Sequence, residues 1–87
     1  MWAVELVVMP TASKALRRMP TKQAATISAR MKAIAANPFG RHNNVKRLSA
    51  DDRFRLRVGD WRALYRVDRN AGLVVLEDVL KRAEAYR

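Results

Sequence analysis

The chain has 87 residues and a formal net charge of +10, from 18 lysines and arginines against 8 acidic residues. A chain of this length supports one modest core, so we expect a single domain over residues 1–87. Its hydrophobic content of 49% excludes a disordered basic tail, and the absence of cysteine excludes disulfides and thiolate chemistry. The excess of positive charge predicts an anionic partner, either nucleic acid or an acidic protein.

The chain opens with Met-Trp-Ala-Val-Glu, which lacks the basic start of a secretory signal peptide. No apolar run approaches the ~18 residues that a membrane-spanning helix requires. We therefore expect a cytoplasmic protein that does not bind a membrane.

The N-terminal part of the chain predicts a strand and a short helix. Trp2 to Val8 is an apolar run rich in β-branched residues, as a first strand would be. Thr11 is predicted to cap a helix from Ala12 to Met19. Pro20 ends that helix, because proline lacks the N–H and its ring clashes with the preceding turn.

A second helix is predicted to follow directly, capped by Thr21 and ended by Asn37-Pro38. Between these limits apolar residues recur at the i, i+3, i+4, i+7 spacing of a helix with one buried face. These residues are Ala24, Ile27, Met31, Ile34 and Ala35. Phe39 to Asn44 is predicted to be a polar loop, and Val45 to Leu48 a brief extended segment.

The segment from Arg53 to Val67 predicts a β-hairpin. Apolar and basic residues alternate strictly up to Val58, which is the period of a strand with one buried face. Gly59-Asp60 is a two-residue connection typical of a tight primed turn. Such a turn places Val58 opposite Trp61 and therefore sets the whole register. The other predicted pairs are Arg57 with Arg62, Arg55 with Leu64, and Arg53 with Arg66.

This register gives the hairpin one apolar and one basic face. Phe54, Leu56, Val58, Trp61, Ala63, Tyr65 and Val67 share the apolar face, and all the hairpin arginines share the other. Like charges directly opposite each other destabilise a sheet by up to ~1 kcal/mol per pair. Arg57 opposite Arg62 therefore indicates an anionic partner at this face, although arginine enrichment by coding bias remains an alternative.

After the hairpin, Asp68 to Gly72 is predicted to be a loop and Leu73 to Val79 the last strand. Leu73 to Leu76 is apolar on both faces, which indicates an interior position in the sheet. The complete order predicts an α+β fold in which an N-terminal helical hairpin covers one face of a small, mostly antiparallel four-stranded sheet. The basic face stays open.

Several segments resemble the RelE/ParE superfamily of toxins from type II toxin–antitoxin systems. They are Thr-Ala-Ser-Lys-Ala-Leu-Arg-Arg-Met from Thr11, Asn37-Pro38, Val-Lys-Arg-Leu from Val45, and Phe-Arg-Leu-Arg-Val-Gly-Asp-Trp-Arg-Ala-Leu-Tyr-Arg-Val from Phe54. The last segment is the most specific, with an arginine-rich strand, Gly-Asp, an aromatic residue, arginine and a closing tyrosine. The resemblance covers nearly the whole chain.

RelE-type members are ribosome-dependent endoribonucleases that cut messenger RNA and are blocked by a cognate antitoxin. Carried over, the resemblance implies five catalytic residues, namely Arg55, Arg57, Arg62, Arg82 and Tyr86. The same surface and the tail predict RNA contacts from Arg53, Arg66, Lys81 and Arg87. The resemblance also implies operator DNA binding only together with the antitoxin. The chain departs from many relatives at Leu80, where they carry glycine, and at positions 55 and 57, where the best-known members carry lysine.

RNA can be cut without a metal when the 2′-hydroxyl attacks the adjacent phosphorus. The enzyme must stabilise the developing charge, accept the 2′ proton and protonate the leaving 5′ oxygen. Arginine does the first task and not the other two, since its pKa exceeds ~12. Tyr86 is therefore the candidate for proton transfer, and we expect neither a metal nor a cofactor. His42, the one histidine, is more typical of ordinary surface than of a general base.

The sequence is also compatible with other interpretations. The arginines could form a solvated strand face, and Tyr86 could belong to a frayed terminus. The other arm of the superfamily consists of ParE-like toxins, which inhibit DNA gyrase by binding and have no nuclease activity. A DNA-binding module is a weaker alternative because no recognition helix stands out. Trp61 is expected to pack under the helices, and Tyr65 to lie in the core.

Overall fold

The computed structural model describes residues 5–82. Seven elements follow one another along the chain. They are β1 (Glu5–Val8), α1 (Pro10–Arg18), α2 (Thr21–Ala36), β2 (Val45–Ser49), β3 (Arg53–Val58), β4 (Trp61–Asp68) and β5 (Leu73–Lys81). The α+β prediction is confirmed. No helix within the described range is long and apolar enough to cross a membrane.

The strands form one five-stranded sheet in the order β1-β5-β4-β3-β2. β1 pairs with β5 in parallel, and the other three pairings are antiparallel. The predicted four-stranded sheet is therefore wrong by one strand, because Val45–Ser49 pairs with β3 as a full edge strand. Three of its five residues are lysine, arginine and serine, so its sequence alone gives only a weak indication of a strand. The predicted interior position of β5 is confirmed.

The hairpin of β3 and β4 has the predicted register. Val58 lies opposite Trp61, Arg57 opposite Arg62 and Arg53 opposite Arg66. Of the two turn residues only Gly59 has a positive φ, +56°, which is the arrangement of a type II′ turn. Glycine adopts this φ without the steric cost that a Cβ would bring.

Both helices begin one or two residues earlier than predicted. α1 starts at Pro10 with Met9 as its N-cap, and α2 follows Pro20 as its N-cap. Neither cap makes a side-chain hydrogen bond, so the predicted capping roles of Thr11 and Thr21 are wrong. Proline starts a helix well because its fixed φ suits the first turn and its missing N–H is not needed there.

The core lies between the helices and the sheet face that carries the apolar hairpin residues. Ile27, Met31 and Ile34 of α2 are fully buried. On the sheet side Tyr65 is 1% exposed and stacks on Phe54 with ring centroids 5.2 Å apart. Burial raises the pKa of the Tyr65 hydroxyl, which excludes it from proton transfer near neutral pH. The prediction that Tyr65 belongs to the core is confirmed.

Asp52 joins the two loops at one end of the sheet. It has a φ of +63°, a conformation that aspartate tolerates better than most residues. Its carboxylate pairs with Arg47 at 2.6 Å and with Arg69 at 2.8 Å. The hydrogen bond from Arg69 is the main cause that lowers the pKa of Asp52 below its ordinary value. A hydrogen bond from Ser49 is the main cause that lowers the pKa of the neighbouring Asp51.

These lowered pKa values predict that acid destabilises the fold. A carboxylate whose folded pKa lies below its unfolded value, 3.8 for aspartate, stabilises the fold above pH 3.8. That contribution is lost as the pH falls through the folded pKa. We expect Asp52→Asn to lower the urea midpoint of unfolding at pH 7. The urea midpoints at pH 7 and pH 3 should therefore differ less in this variant than in the wild type. Asp60→Asn, at an exposed position, is the control, and equal behaviour of the two variants would contradict this.

The core assignment predicts a large cost for truncating Met31. Met31→Ala removes a side chain that is 0% exposed, so we expect a loss of about 2–5 kcal/mol in the free energy of unfolding. Lys32 is an exposed neighbour on the same helix and provides the control. Lys32→Ala is expected to change the free energy of unfolding by less than about 0.5 kcal/mol. Urea denaturation measures both. A Met31 variant as stable as the Lys32 variant would show that α2 does not pack as described.

Candidate functional site

The sheet face opposite the helices carries the hairpin arginines. In the observed register Arg57 lies opposite Arg62 and Arg55 opposite Leu64. Because side chains alternate between faces along a strand, these residues share the face that the helices leave uncovered. Arg57 is exposed and Arg55 is half-buried. Two arginines of β3 therefore lie side by side on one surface, as predicted.

Arg62 is held at the hairpin turn. Its side chain is buried, with 4% of the residue exposed. Nη1 donates hydrogen bonds to the carbonyl oxygen of Gly59 at 2.9 Å and to that of Trp61 at 3.0 Å. These contacts stabilise a guanidinium that faces Arg57 across the ribbon. The predicted open position of Arg62 is wrong, and its guanidinium has a fixed place beside the turn instead.

The end of β5 reaches the same turn. The backbone N–H of Arg82 donates to the carbonyl oxygen of Asp60 at 2.7 Å. Arg62 and Arg82 therefore both contact the Gly59-Asp60 turn, one through its side chain and one through its backbone. Arg82 is exposed. The predicted site residues Tyr86 and Arg87 lie outside the described residues.

Arg53 and Arg66 lie at the opposite end of the hairpin, where acidic residues surround them. Glu77 accepts from Arg53 at 2.9 Å and pairs with Arg66 at 3.3 Å. Asp51 pairs with Arg53 at 3.3 Å, and Asp68 with Arg66 at 3.7 Å. The chain itself thus supplies the anions that this pair of facing arginines needs.

An irregularity in β5 places Glu77 between the two arginines. Leu64 pairs with Asp78 and Tyr65 with Leu76, so Glu77 is the extra residue of a bulge. A bulge adds one residue to a strand and redirects its side chain. The alternation of Leu73 to Lys81 alone does not predict this position.

Lys81 lies on the other face of the sheet. It pairs with Trp61 in the ladder, and its Nζ lies 5.6 Å from the centre of the Trp61 ring. Trp61 is half-buried against the core and donates from Nε1 to Gln23 Oε1 at 3.0 Å. The prediction that Trp61 packs under the helices is confirmed. Lys81 is therefore separated from the arginines of β3 by the sheet.

His42 makes a contact typical of a structural residue. Its Nε2 donates to the carbonyl oxygen of Asn37 at 2.7 Å, which ties the loop after α2 to the helix end. The same loop receives a hydrogen bond from Arg30 to the carbonyl oxygen of Asn43. Within residues 5–82 no three histidine, aspartate or glutamate side chains are grouped in a way that could hold a metal ion.

One basic residue of this surface was not predicted. Lys46 of β2 pairs with Arg55 of β3 and is exposed. It was missed because its place beside Arg55 depends on the pairing of an edge strand that the sequence predicts only as a brief extended segment. The strand alternation from Val45 to Arg47 is the one signal that could have found it.

Arg55 and Arg57 on β3, and Arg62 and Arg82 beside the turn, lie towards one end of the hairpin, which we call the turn-end surface. Guanidinium groups bind phosphate oxygens with planar, paired hydrogen bonds. The ion pairs among residues 5–82 do not include Arg57 or Arg82. The turn-end surface therefore has the charge and the donors to bind a polyanion.

Comparison with known proteins gives one family and a shared fold. Residues 6–86 match the model of the ParE toxin of the type II toxin–antitoxin system parDE. A RelBE toxin–antitoxin complex from Mycobacterium tuberculosis is similar, with 26% identity, a TM-score of 0.74 and coverage of 95% of each chain. No match was found among curated protein sequences.

Two further solved structures have the same fold at 20% identity. The archaeal RelE–RelB complex from Pyrococcus horikoshii has a TM-score of 0.80, with 92% of this chain and 96% of that chain covered. The isolated Escherichia coli RelE toxin has a TM-score of 0.76, with 97% and 92% covered. Three observations indicate the same family. They are the RelE-like fold, the family match over almost the whole chain and the basic sheet face. The chain belongs to the ParE toxin family of type II toxin–antitoxin systems.

Proposed function

We propose that this toxin is a ribosome-dependent endoribonuclease that cuts messenger RNA without a metal. The observation that carries the proposal is the turn-end surface, where Arg55 and Arg57 share one face and Arg62 and Arg82 both contact one turn. Such a concentration of guanidinium groups suits a phosphate that gains negative charge during a reaction. The RelE-like fold supports the same activity by analogy.

In the proposed reaction the 2′ oxygen forms a bond to the adjacent phosphorus while the bond to the 5′ oxygen breaks. The 2′-hydroxyl loses a proton, and the leaving 5′ oxygen gains one. Arg62 and Arg82 clamp the scissile phosphate, and Arg55 and Arg57 orient the backbone and stabilise the charge on its oxygens. Tyr86 exchanges the protons, because arginine keeps its proton at all relevant pH values.

The fixed position of Arg62 supports its role as a clamp. Two carbonyl oxygens hold its Nη1 before any RNA arrives. A preorganised guanidinium loses less conformational entropy on binding than one on a freely moving side chain.

The proposed partners are the ribosome, messenger RNA and a cognate antitoxin. Solved relatives from Mycobacterium tuberculosis and Pyrococcus horikoshii are toxin–antitoxin complexes, which supports an antitoxin here. With a net charge of +10 the toxin is expected to bind an acidic antitoxin that covers the turn-end surface. Action in the cytoplasm, and operator DNA binding together with the antitoxin, belong to the same proposal.

A second candidate function is inhibition of DNA gyrase by binding, without nuclease activity. The match to the ParE toxin model over residues 6–86 favours it. The two candidates differ in their chemistry, since a gyrase inhibitor needs a binding surface and no proton transfer. Tyr86 and the arginine clamp favour the nuclease for this chain.

Induction of the toxin in cells separates the two functions. We expect new RNA ends at positions that follow the reading frame, because the ribosome presents the message codon by codon. Plasmid supercoiling, measured in the same cells, is expected to stay normal. Frame-dependent cleavage together with normal supercoiling supports the nuclease. Relaxed plasmids with intact messages would support the gyrase inhibitor and exclude our first proposal.

Single substitutions test the roles on translating ribosomes. We expect Arg57→Ala and Tyr86→Phe each to lower the cleavage rate about 100-fold or more, as loss of a charge-stabilising or proton-transferring group does. Lys32→Ala removes one positive charge from the exposed side of α2 and is expected to leave the rate within about twofold. Thermal unfolding of each variant checks the fold. Undiminished cleavage by both site variants would remove these assignments.

A further inference from the structure

The edge strand β2 carries a basic side chain onto the face of the arginines. Val45 packs against the core, and the guanidinium of Arg47 lies 5.4 Å from the centre of the Phe54 ring, which is also part of the core. Lys46 stands between these two residues, so strand alternation directs it to the opposite face. The ladder pairs it with Arg55, whose side chain is on that face.

The sheet geometry places Lys46 close to Arg55 and Arg57, the residues proposed to orient the RNA backbone. Opposite residues of an antiparallel pair have Cβ atoms about 5 Å apart, so Lys46 and Arg55 are direct neighbours. Arg57 lies two residues along the next strand, which corresponds to a backbone separation of about 8 Å from strand rise and spacing. One RNA strand can therefore contact these side chains through neighbouring phosphates.

The charges of the sheet face define where a polyanion can lie. Arg53 and Arg66 share Glu77, and Asp51 and Asp68 add further negative charge at that end. The ion pairs within residues 5–82 do not include Lys46. The positive charges of Lys46, Arg57 and Arg82, which none of these ion pairs includes, thus lie across the strands towards the turn, rather than along β3 and β4 to their far ends.

A protective role at the sheet edge does not account for Lys46. Lysines on edge strands prevent pairing with other chains, and a bulge can do the same. In β2 the bulge between Arg47 and Ser49 already interrupts the edge. The Arg47 side chain also occupies the carbonyl oxygens of Ser49 and Ala50, at 3.1 and 3.3 Å. Lys46 is thus available for a ligand.

We propose that Lys46 binds an RNA phosphate beside the scissile one, and that the RNA crosses the sheet from β2 towards Arg82. Arg53 and Arg66 then stabilise the fold through Glu77 and do not contact RNA. The position of the scissile phosphate rests on the proposed nuclease function, whereas the contact between Lys46 and RNA does not. An ammonium group suits this place because a flanking phosphate needs a point charge and not a paired, planar contact.

The test measures binding of a fluorescent single-stranded RNA whose 2′ positions are all methylated, so that 2′ attack is impossible. Full-length toxin is titrated by fluorescence anisotropy between 50 and 300 mM salt, chosen as a working range for counterion release. The plot of log affinity against log salt has a negative slope. Each lost phosphate contact makes this slope shallower, reducing its magnitude by about 0.7 for a single strand. We expect this decrease for Lys46→Ala and recovery for Lys46→Arg.

Lys32→Ala and Arg53→Ala are the controls, because each removes one positive charge elsewhere. Both are expected to keep the wild-type slope, and thermal unfolding shows whether Arg53→Ala still folds. Equal slopes for Lys46→Ala and Lys32→Ala would overturn the proposal. So would an Arg53→Ala slope that decreases as much as that of Lys46→Ala in a folded protein, or a wild-type toxin that does not bind this RNA.

The RNA titration and the cleavage assay on ribosomes together separate this proposal from the nuclease proposal. If wild-type toxin fails to cut messages on ribosomes and Lys46→Ala still lowers the slope, the RNA contact stands and the nuclease assignment fails. If wild-type toxin cuts messages and Lys46→Ala keeps the wild-type slope, the nuclease assignment stands and the RNA contact fails.

Discussion

The tight turn at Gly59-Asp60 determines the register on which the rest of the structure depends. A one-residue shift of β4 against β3 would move the arginines of β4 to the core face and its apolar residues to the opposite face. The turn prevents this because glycine adopts a φ of +56° at its first position. The same turn supplies carbonyl oxygens to the Arg62 side chain and the Arg82 backbone. Register and site geometry therefore have one common origin.

The acidic residues divide the basic sheet face into two regions. Asp51, Asp52, Asp68 and Glu77 lie at the end away from the turn and form all six ion pairs seen in residues 5–82. That end stabilises the loops around Asp52. At the turn end Arg57 and Arg82 take part in none of these ion pairs. The ion pairs thus lie at one end of the hairpin, and our proposal places binding at the other.

A site built from arginine separates charge stabilisation from proton transfer. Arg55 and Arg57 can hold a phosphate and neutralise it, but they cannot accept a proton at any physiological pH. Tyr65 is also excluded, because its hydroxyl is buried in the core and its pKa is raised. In our proposal this chemistry depends on Tyr86 near the end of the chain.

The sequence by itself determined the hairpin, its register, the two helices and the face on which each residue of β3 and β4 lies. These features follow from local rules, since strand alternation, a glycine turn and helical spacing act over a few residues. The family resemblance, and with it the toxin assignment, also came from the chain alone, and the ParE toxin match confirms it.

Only the tertiary structure decided that Val45–Ser49 is a strand, because this polar segment gains its hydrogen bonds from β3. Only the bulge in β5 brings Glu77 to Arg53 and Arg66. Only the pairing of Lys81 with Trp61 places that lysine on the sheet face that packs against the helices. These contacts join residues distant in sequence. Their geometry depends on how strands assemble, which no local pattern in the chain records.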